Sequence, residues 1–213
     1  MMAVYDLEEQ EQIDEIKAWW KQYGNALLLL VVVAVLTVAA VLGWRAYNDR
    51  QGLEAGELYV QLQAAVSSNE NKKVQDIGAT MIERYPRSGY AQFAALAAGR
   101  AAFETGSLAE ARTSLKWVVE HAKDDGTRDL ARLRLATVAL DEKKYDEALA
   151  TLQAPPVEAM AALFADLKGD ILAVQEKTAE ARSAFQLALD KTEAKSGYRN
   201  VIQGKLDSLG TAK

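Results

Sequence analysis

Hydrophobic residues follow two regimes along this chain. From Ala26 to Trp44 there is no charge, and only Thr37 and Gly43 interrupt an apolar run in which twelve of the residues from Leu27 to Leu42 are Leu or Val. As a helix those 19 residues would extend about 28 Å, close to the roughly 30 Å hydrocarbon core of a bilayer. Beyond Trp44 the pattern breaks into shorter apolar stretches. Period-two alternation is not sustained there, and 13 Gly and 3 Pro are too few to turn many hairpins, which argues against strands.

The apolar run predicts a transmembrane helix at residues 22–45. Trp19, Trp20 and Tyr23 precede it, and Trp44 and Tyr47 follow it, as amphipathic rings do at the two headgroup levels. Two other readings compete, a buried core helix and a cleaved signal peptide. The second is disfavoured by the long acidic segment ahead of the run and by the lack of a small-x-small cleavage pattern before Trp44. Lys17 and Lys21 on one side balance Arg45 and Arg50 on the other, so the positive-inside count leaves the orientation open. Ala39 and Gly43 form one small-xxx-small pair, compatible with a partner helix or with a lipid-facing anchor.

Residues 1–21 form an acidic tail, with six acids against two lysines and only Leu7, Ile13 and Ile16 as sparse apolar positions. Such a segment is either a solvated extension of the helix or a docking element for a soluble partner. Residues 46–213 are enough for one soluble domain with its own core.

Within that domain the chain repeats itself. Leu108-Ala109-Glu110-Ala111, Tyr145-Asp146-Glu147-Ala148 and Thr178-Ala179-Glu180-Ala181 bring an alanine back after 37 and then 33 residues, bracketing the 34-residue tetratricopeptide period. In that architecture a small residue early in the second helix lets it cross tightly against the first. One unit then has Gly99 at the small position of its first helix, Gly106 in the turn, and Leu108 and Leu115 as apolar positions; Ser107 and Glu110 read as a capping box. The next has Leu135, Ala136, Tyr145, Ala148 and Leu152, cut short by Pro155 and Pro156. The last has Gly169, Ala181, Phe185 and Ala188. A weaker unit precedes them, with Leu58, Leu62, Ala65, Met81 and the exit Tyr85-Pro86-Arg87-Ser88. The predicted fold is all-α: a single N-terminal transmembrane helix followed by a tetratricopeptide-like helix-pair solenoid, closed by a capping helix between about Ser196 and Leu209.

Composition narrows the chemistry. The net charge is −5, from 25 basic and 30 acidic side chains, with no basic block, so nucleic acid is not an expected partner. There is no cysteine, and His121 is the single histidine, which leaves no basis for a thiolate, a metal site or a triad. The acid pairs Asp124-Asp125 and Asp141-Glu142 fall in predicted turns. Phosphate-loop, G-x-S-x-G and H-E-x-x-H patterns are absent. The expectation is a binding protein without catalytic residues or cofactors. The first helices of the pairs would offer a concave face carrying Phe93, Leu96, Arg100 and Phe103, then Leu130, Leu133, Thr137 and Leu140, then Asp166 and Asp170. That face is either a groove for an apolar helix or extended client segment, or ordinary core closed over by the last helix.

Taken together, the acidic start Val4-Tyr5-Asp6-Leu7-Glu8-Glu9-Gln10-Glu11, the stretch Ile16-Lys17-Ala18-Trp19-Trp20-Lys21, the anchor with its exit Gly43-Trp44-Arg45, and the Tyr85-Pro86 close ahead of Ala-rich helix pairs resemble the YfgM family. These are ancillary subunits of the SecYEG translocon in Gram-negative bacteria, and the resemblance covers essentially the whole chain. It implies an inner-membrane protein with a cytoplasmic N-terminus and a periplasmic helical domain. The implied partners are the translocon and a membrane-anchored periplasmic chaperone of the prolyl-isomerase type, PpiD, with client polypeptides beside them. It also implies restraint of a cytoplasmic response regulator of envelope stress, which only the tail before the membrane would reach.

Overall fold

Among the described residues after Gly52, positive φ occurs at Asn69, Gly106, Lys143, Glu176 and Gly210, and the first four of these punctuate the run of helices. At each, a helix ends in a left-handed residue whose neighbours recover the orphaned carbonyls. Ser107 N–H donates to Ala102 O at 2.8 Å and Gly106 N–H to Phe103 O at 3.0 Å; Lys144 and Lys143 repeat this on Ala139 and Leu140, and Lys177 and Glu176 on Leu172 and Ala173. The four positions step by 37, 37 and 33 residues, so they mark the internal turns of four helix pairs.

The computed structural model describes residues 3–210, with side chains from Lys17 onward. The helices are α1 (Ala3–Ser67), α2 (Asn71–Arg84), α3 (Ala91–Glu104), α4 (Leu108–His121), α5 (Asp125–Asp141), α6 (Tyr145–Thr151), α7 (Ala161–Val174), α8 (Thr178–Lys191) and α9 (Tyr198–Ser208), with a short 3-10 turn at Glu158–Met160. No strand occurs among the described residues. The side chains of the acidic tail as far as Ile16, including Leu7 and Ile13, lie outside the described residues, as does Met1.

Contacts divide the chain between Gln51 and Gly52. In the first unit, α1 is the one helix among the described residues that is long and apolar enough to cross a membrane; its apolar window reaches a mean hydropathy of 3.0 and none of it is buried. The exposure of that window counts against the buried-core reading of this segment. Trp19, Trp20, Tyr23, Trp44 and Tyr47 are all exposed along it. Thr37, the polar residue within the run, donates its hydroxyl to Val33 O at 2.8 Å, so that hydroxyl is satisfied within its own helix.

The second unit is a chain of helix pairs. Leu62 and Ala65, within residues 52–67 of α1, pack with Val74 and Met81 of α2; α3 pairs with α4, α5 with α6 and α7 with α8, while α9 packs on α8. The core is correspondingly a series of overlapping clusters. Leu62, Val74 and Met81 join the first pair to α3; Leu115, Val118 and Leu135 join α4 to α5; Ala148 and Phe164 join α5 and α6 to α7; and Phe185, Leu189 and Ile202 seal the last pair with α9. Each helix pair thus buries its apolar faces against its sequence neighbours, as a solenoid requires.

Close crossings explain the small residues. A Cβ on Gly99 would lie 2.8 Å from Leu115 Cγ, and one on Gly169 would lie 2.5 Å from the Phe185 ring. Ala111, Ala148 and Ala181 are fully buried. The capping box at Ser107 does not form. Ser107 has φ −79° and ψ 64°, and Leu108 N–H bonds Gly106 O at 2.9 Å, which is an inverse γ-turn that takes up the first donor of α4 through the backbone. Glu70 and Lys177 sit in the same conformation at the starts of α2 and α8, where no side-chain cap is made either.

Candidate partner groove

The ten residues of the expected concave face separate into three groups. Phe93, Leu96, Arg100, Phe103, Leu130 and Thr137 line two adjoining clefts between α3 and α5, the first helices of successive pairs, with α2 and α4 adding to the walls. The first cleft, about 320 Å³, is bounded by Val66, Val74, Phe93, Leu96 and Leu130; the second, about 360 Å³, by Gly99, Phe103, Leu115, Thr137 and Val138. Both share Arg100, Glu104 and Arg134. Leu133 and Leu140 belong instead to the core between α5, α6 and α7.

Asp166 and Asp170 form the third group, and both are engaged by α9. Asp166 is 4% exposed and accepts hydrogen bonds from Tyr198 Oη at 2.6 Å and Lys205 Nζ at 2.7 Å; Asp170 accepts from the same ammonium at 2.7 Å. Lys205 also lies over the Phe185 ring. Burial pushes the Asp170 carboxyl up from its ordinary value, with Lys205 pulling against it. Burial alone would lower the Lys205 ammonium, but the two carboxylates outweigh it and hold it above the usual lysine value. The cluster fastens α9 onto α7.

The clefts have a mixed character. Phe93 is 44% exposed at the rim of the first, and next to it Tyr90 stacks on Tyr59 with ring centroids 4.9 Å apart. Arg100 pairs with Glu104 at 2.7 Å along α3. Arg134 reaches from α5 to α3, where its Nη1 donates to Leu96 O at 3.2 Å, a carbonyl already inside a helix. Burial, and then the neighbouring Arg100, push the Arg134 guanidinium down from its ordinary value, with Glu104 opposing. Arg134 was not among the expected groove residues, although it lies four residues after Leu130 and three before Thr137 and so shares their face.

His121 is exposed in the last turn of α4, stacked on Trp117 with centroids 4.6 Å apart and its Nδ1 2.8 Å from Trp117 O. Asp124 caps α5, accepting from Thr127 N–H at 2.7 Å, and that bond holds its carboxyl below the usual range. Neither residue faces the clefts.

A family profile described as a tetratricopeptide repeat-like domain matches residues 17–211. The chain is 37% identical over 207 residues to a Neisseria gonorrhoeae protein named ancillary SecYEG translocon subunit, covering 95% of this chain and 98% of that one. Proteins of the same name from Escherichia coli and Haemophilus influenzae are each 28% identical, over 98% and 86% of this chain and 99% and 90% of their own lengths. Similarity that runs through the apolar helix and all four helix pairs, at these levels, makes the chain a member of the YfgM family, with a tetratricopeptide repeat-like domain.

Proposed function

We propose that this protein is a single-pass inner-membrane subunit of the Sec translocon that acts by binding other proteins. Residues 22–45 cross the membrane, and residues 46–213 are the soluble domain that meets partners. The observation that carries the reading is the end-to-end similarity to proteins named as translocon subunits, which includes anchor and repeats together. A helix with its apolar surface wholly exposed supports the anchor. Clefts offering apolar side chains beside arginines support a binding role.

In this reading the N-terminal tail is cytoplasmic and the helix pairs are periplasmic. The clefts hold a membrane-anchored periplasmic chaperone, PpiD, or an emerging secreted polypeptide, and the anchor raises the local concentration of both at the translocon exit. No cofactor takes part.

The test is in-cell crosslinking of the full-length chain, purification in mild detergent and identification of what accompanies it, beside a form ending at Gly52. Recovery of translocon subunits with a periplasmic chaperone, the chaperone being lost on truncation, is the expected result. A cytoplasmic response regulator retained by the truncated form, without translocon subunits, would replace this reading with the regulatory one carried by the acidic tail. Phe103→Glu is expected to weaken partner capture with helical content unchanged; collapse of helicity would assign Phe103 to the core.

A further inference from the structure

From the charge of the two adjoining clefts we infer what they take: an extended segment of a partner protein in which a carboxylate side chain is flanked by large apolar side chains. The inference rests on the proposed role of these clefts as the docking surface and names the chemistry of the occupant.

Three features point to it. First, the clefts are separate small cavities, of about 320 and 360 Å³, that meet at Arg100, Glu104 and Arg134. A helix with its side chains is about 10–12 Å across and needs a continuous trough. Two cavities divided by a charged ridge instead accept individual side chains on either side of a polar one.

Second, the ridge has an excess of positive charge within a chain whose net charge is −5. Glu104 is engaged by Arg100 at 2.7 Å, so one cation of the three charged groups is left over, that of Arg134. Other part-buried arginines are differently placed. Arg112 binds the carboxylates of Glu142 and Glu147, and Arg132 that of Asp129. Arg199 donates to Leu189 O and Thr192 O, at the end of α8 where the helix dipole welcomes a cation. Arg134 donates to a carbonyl in the middle of α3, with a second guanidinium beside it. A carboxylate from outside would relieve that repulsion and accept from the planar fork.

Third, the cavity walls are apolar on both sides of the ridge. Val66, Phe93 and Leu130 line one, and Phe103, Leu115 and Val138 the other. Aromatic and aliphatic groups of the partner would fill them while its acid sits at Arg134.

The test uses the full-length protein in nanodiscs and two fluorescein-labelled dodecapeptides, one with a Leu-Asp-Phe core and the other with Leu-Asn-Phe, read by fluorescence polarisation. The acidic peptide is expected to bind at least tenfold more tightly, with the preference falling as salt rises. Arg134→Gln should bring the ratio of the two affinities close to one, Arg134→Lys should restore part of it, and Phe93→Glu should weaken both peptides. Far-UV circular dichroism keeps each variant comparable. Equal binding of the two peptides, failure of both to bind, or an unchanged ratio in Arg134→Gln overturns the inference while leaving the clefts available to a purely apolar partner. If the peptides bind but neither Phe93→Glu nor Arg134→Gln has any effect, the clefts are not the site, and the assignment of the docking surface falls with the inference. Concentration-dependent self-association that Phe93→Glu abolishes would make a second copy the occupant and overturns it as well.

Discussion

At the scale of single residues, the spacing between helices is set by where side chains are missing. A Cβ on Gly78 would stand 2.4 Å from Ala98 Cβ and 3.0 Å from Ala94 O, neither of which can rotate away. Gly78→Ala is therefore expected to destabilise the domain by up to about 2 kcal/mol, the 1–3 kcal/mol of overpacking less about 1 kcal/mol of helix propensity regained. Gly204 in α9 has open space around it, and Gly204→Ala should stabilise by about 0.5–1 kcal/mol. Opposite shifts in urea midpoint check the pair, and equal shifts would refute the packing account. The Lys205 cluster gives a second prediction at this scale. The Lys205 value is raised in the folded state, so its contribution is present below the ordinary lysine value and is lost as pH rises through the raised one; the raised Asp170 value means its contribution declines as pH rises out of the acid range. Lys205→Met leaves two carboxylates facing each other without a cation. It should cost about 2 kcal/mol at pH 7, below the usual figure for a broken buried pair because Lys205 is 30% exposed. That cost should shrink as pH falls and the aspartates take up protons. Melting of both proteins at pH 7 and pH 4.5 decides it; a gap that stays constant would mean the ammonium acts by packing alone.

At the scale of elements, the irregular third pair shows how sequence and structure divide the work. The prolines Pro155 and Pro156 cut α6 to seven residues, and this truncation was legible because proline removes a donor wherever it stands. What replaces the missing turn was not legible. Arg132 on α5 donates from Nε to Thr151 O at 3.1 Å and from Nη2 to Ala154 O at 2.6 Å, while Asp129 holds Arg132 at 2.7 Å and accepts from Val157 N–H at 2.7 Å. The pair lies about twenty residues upstream of the carbonyls it satisfies, with no local pattern to announce it. Asp129→Ala should destabilise by about 2 kcal/mol or more, since the buried guanidinium loses its charge partner, and hydrogen exchange should accelerate first at Val157. Unchanged exchange there would remove Asp129 from this role. The repeat itself was visible for a related steric reason. Val74, Ala111, Ala148 and Ala181 each lie five residues after a left-handed turn and are buried, so three alanines advertised the period while a valine concealed the first unit. The groove was only half legible: Leu130 and Leu133 look equivalent along α5, and which of them faces a cleft depends on where α6 and α7 pack.

At the scale of the molecule, the solenoid's stability should be local because its contacts are. Helices touch chiefly their sequence neighbours, and among the described residues the last pair is covered by α9, which buries Ile202 and Leu206 against Phe185 and Leu189 and is tied to α7 by Lys205 and Tyr198. Terminal repeats without a cap expose the apolar face that the next repeat would have covered. Ending the chain before Gly197 should therefore do more than remove a helix. It uncovers Phe185 and Leu189 and strips Asp166 of both its donors, so the α7–α8 pair should open well below the global unfolding free energy. The pairs formed by α2 with residues 52–67 of α1, and by α3 with α4, share no cluster with α9 and should keep their protection. Hydrogen exchange by mass spectrometry on full-length and shortened proteins in nanodiscs would reveal this as a gradient, with protection lost in α7 and α8, partly lost in α5 and α6, and intact before Ala122. Uniform loss across the domain would mean that the pairs fold as one cooperative unit and that the cap governs the groove at α3 and α5 as well as its own end.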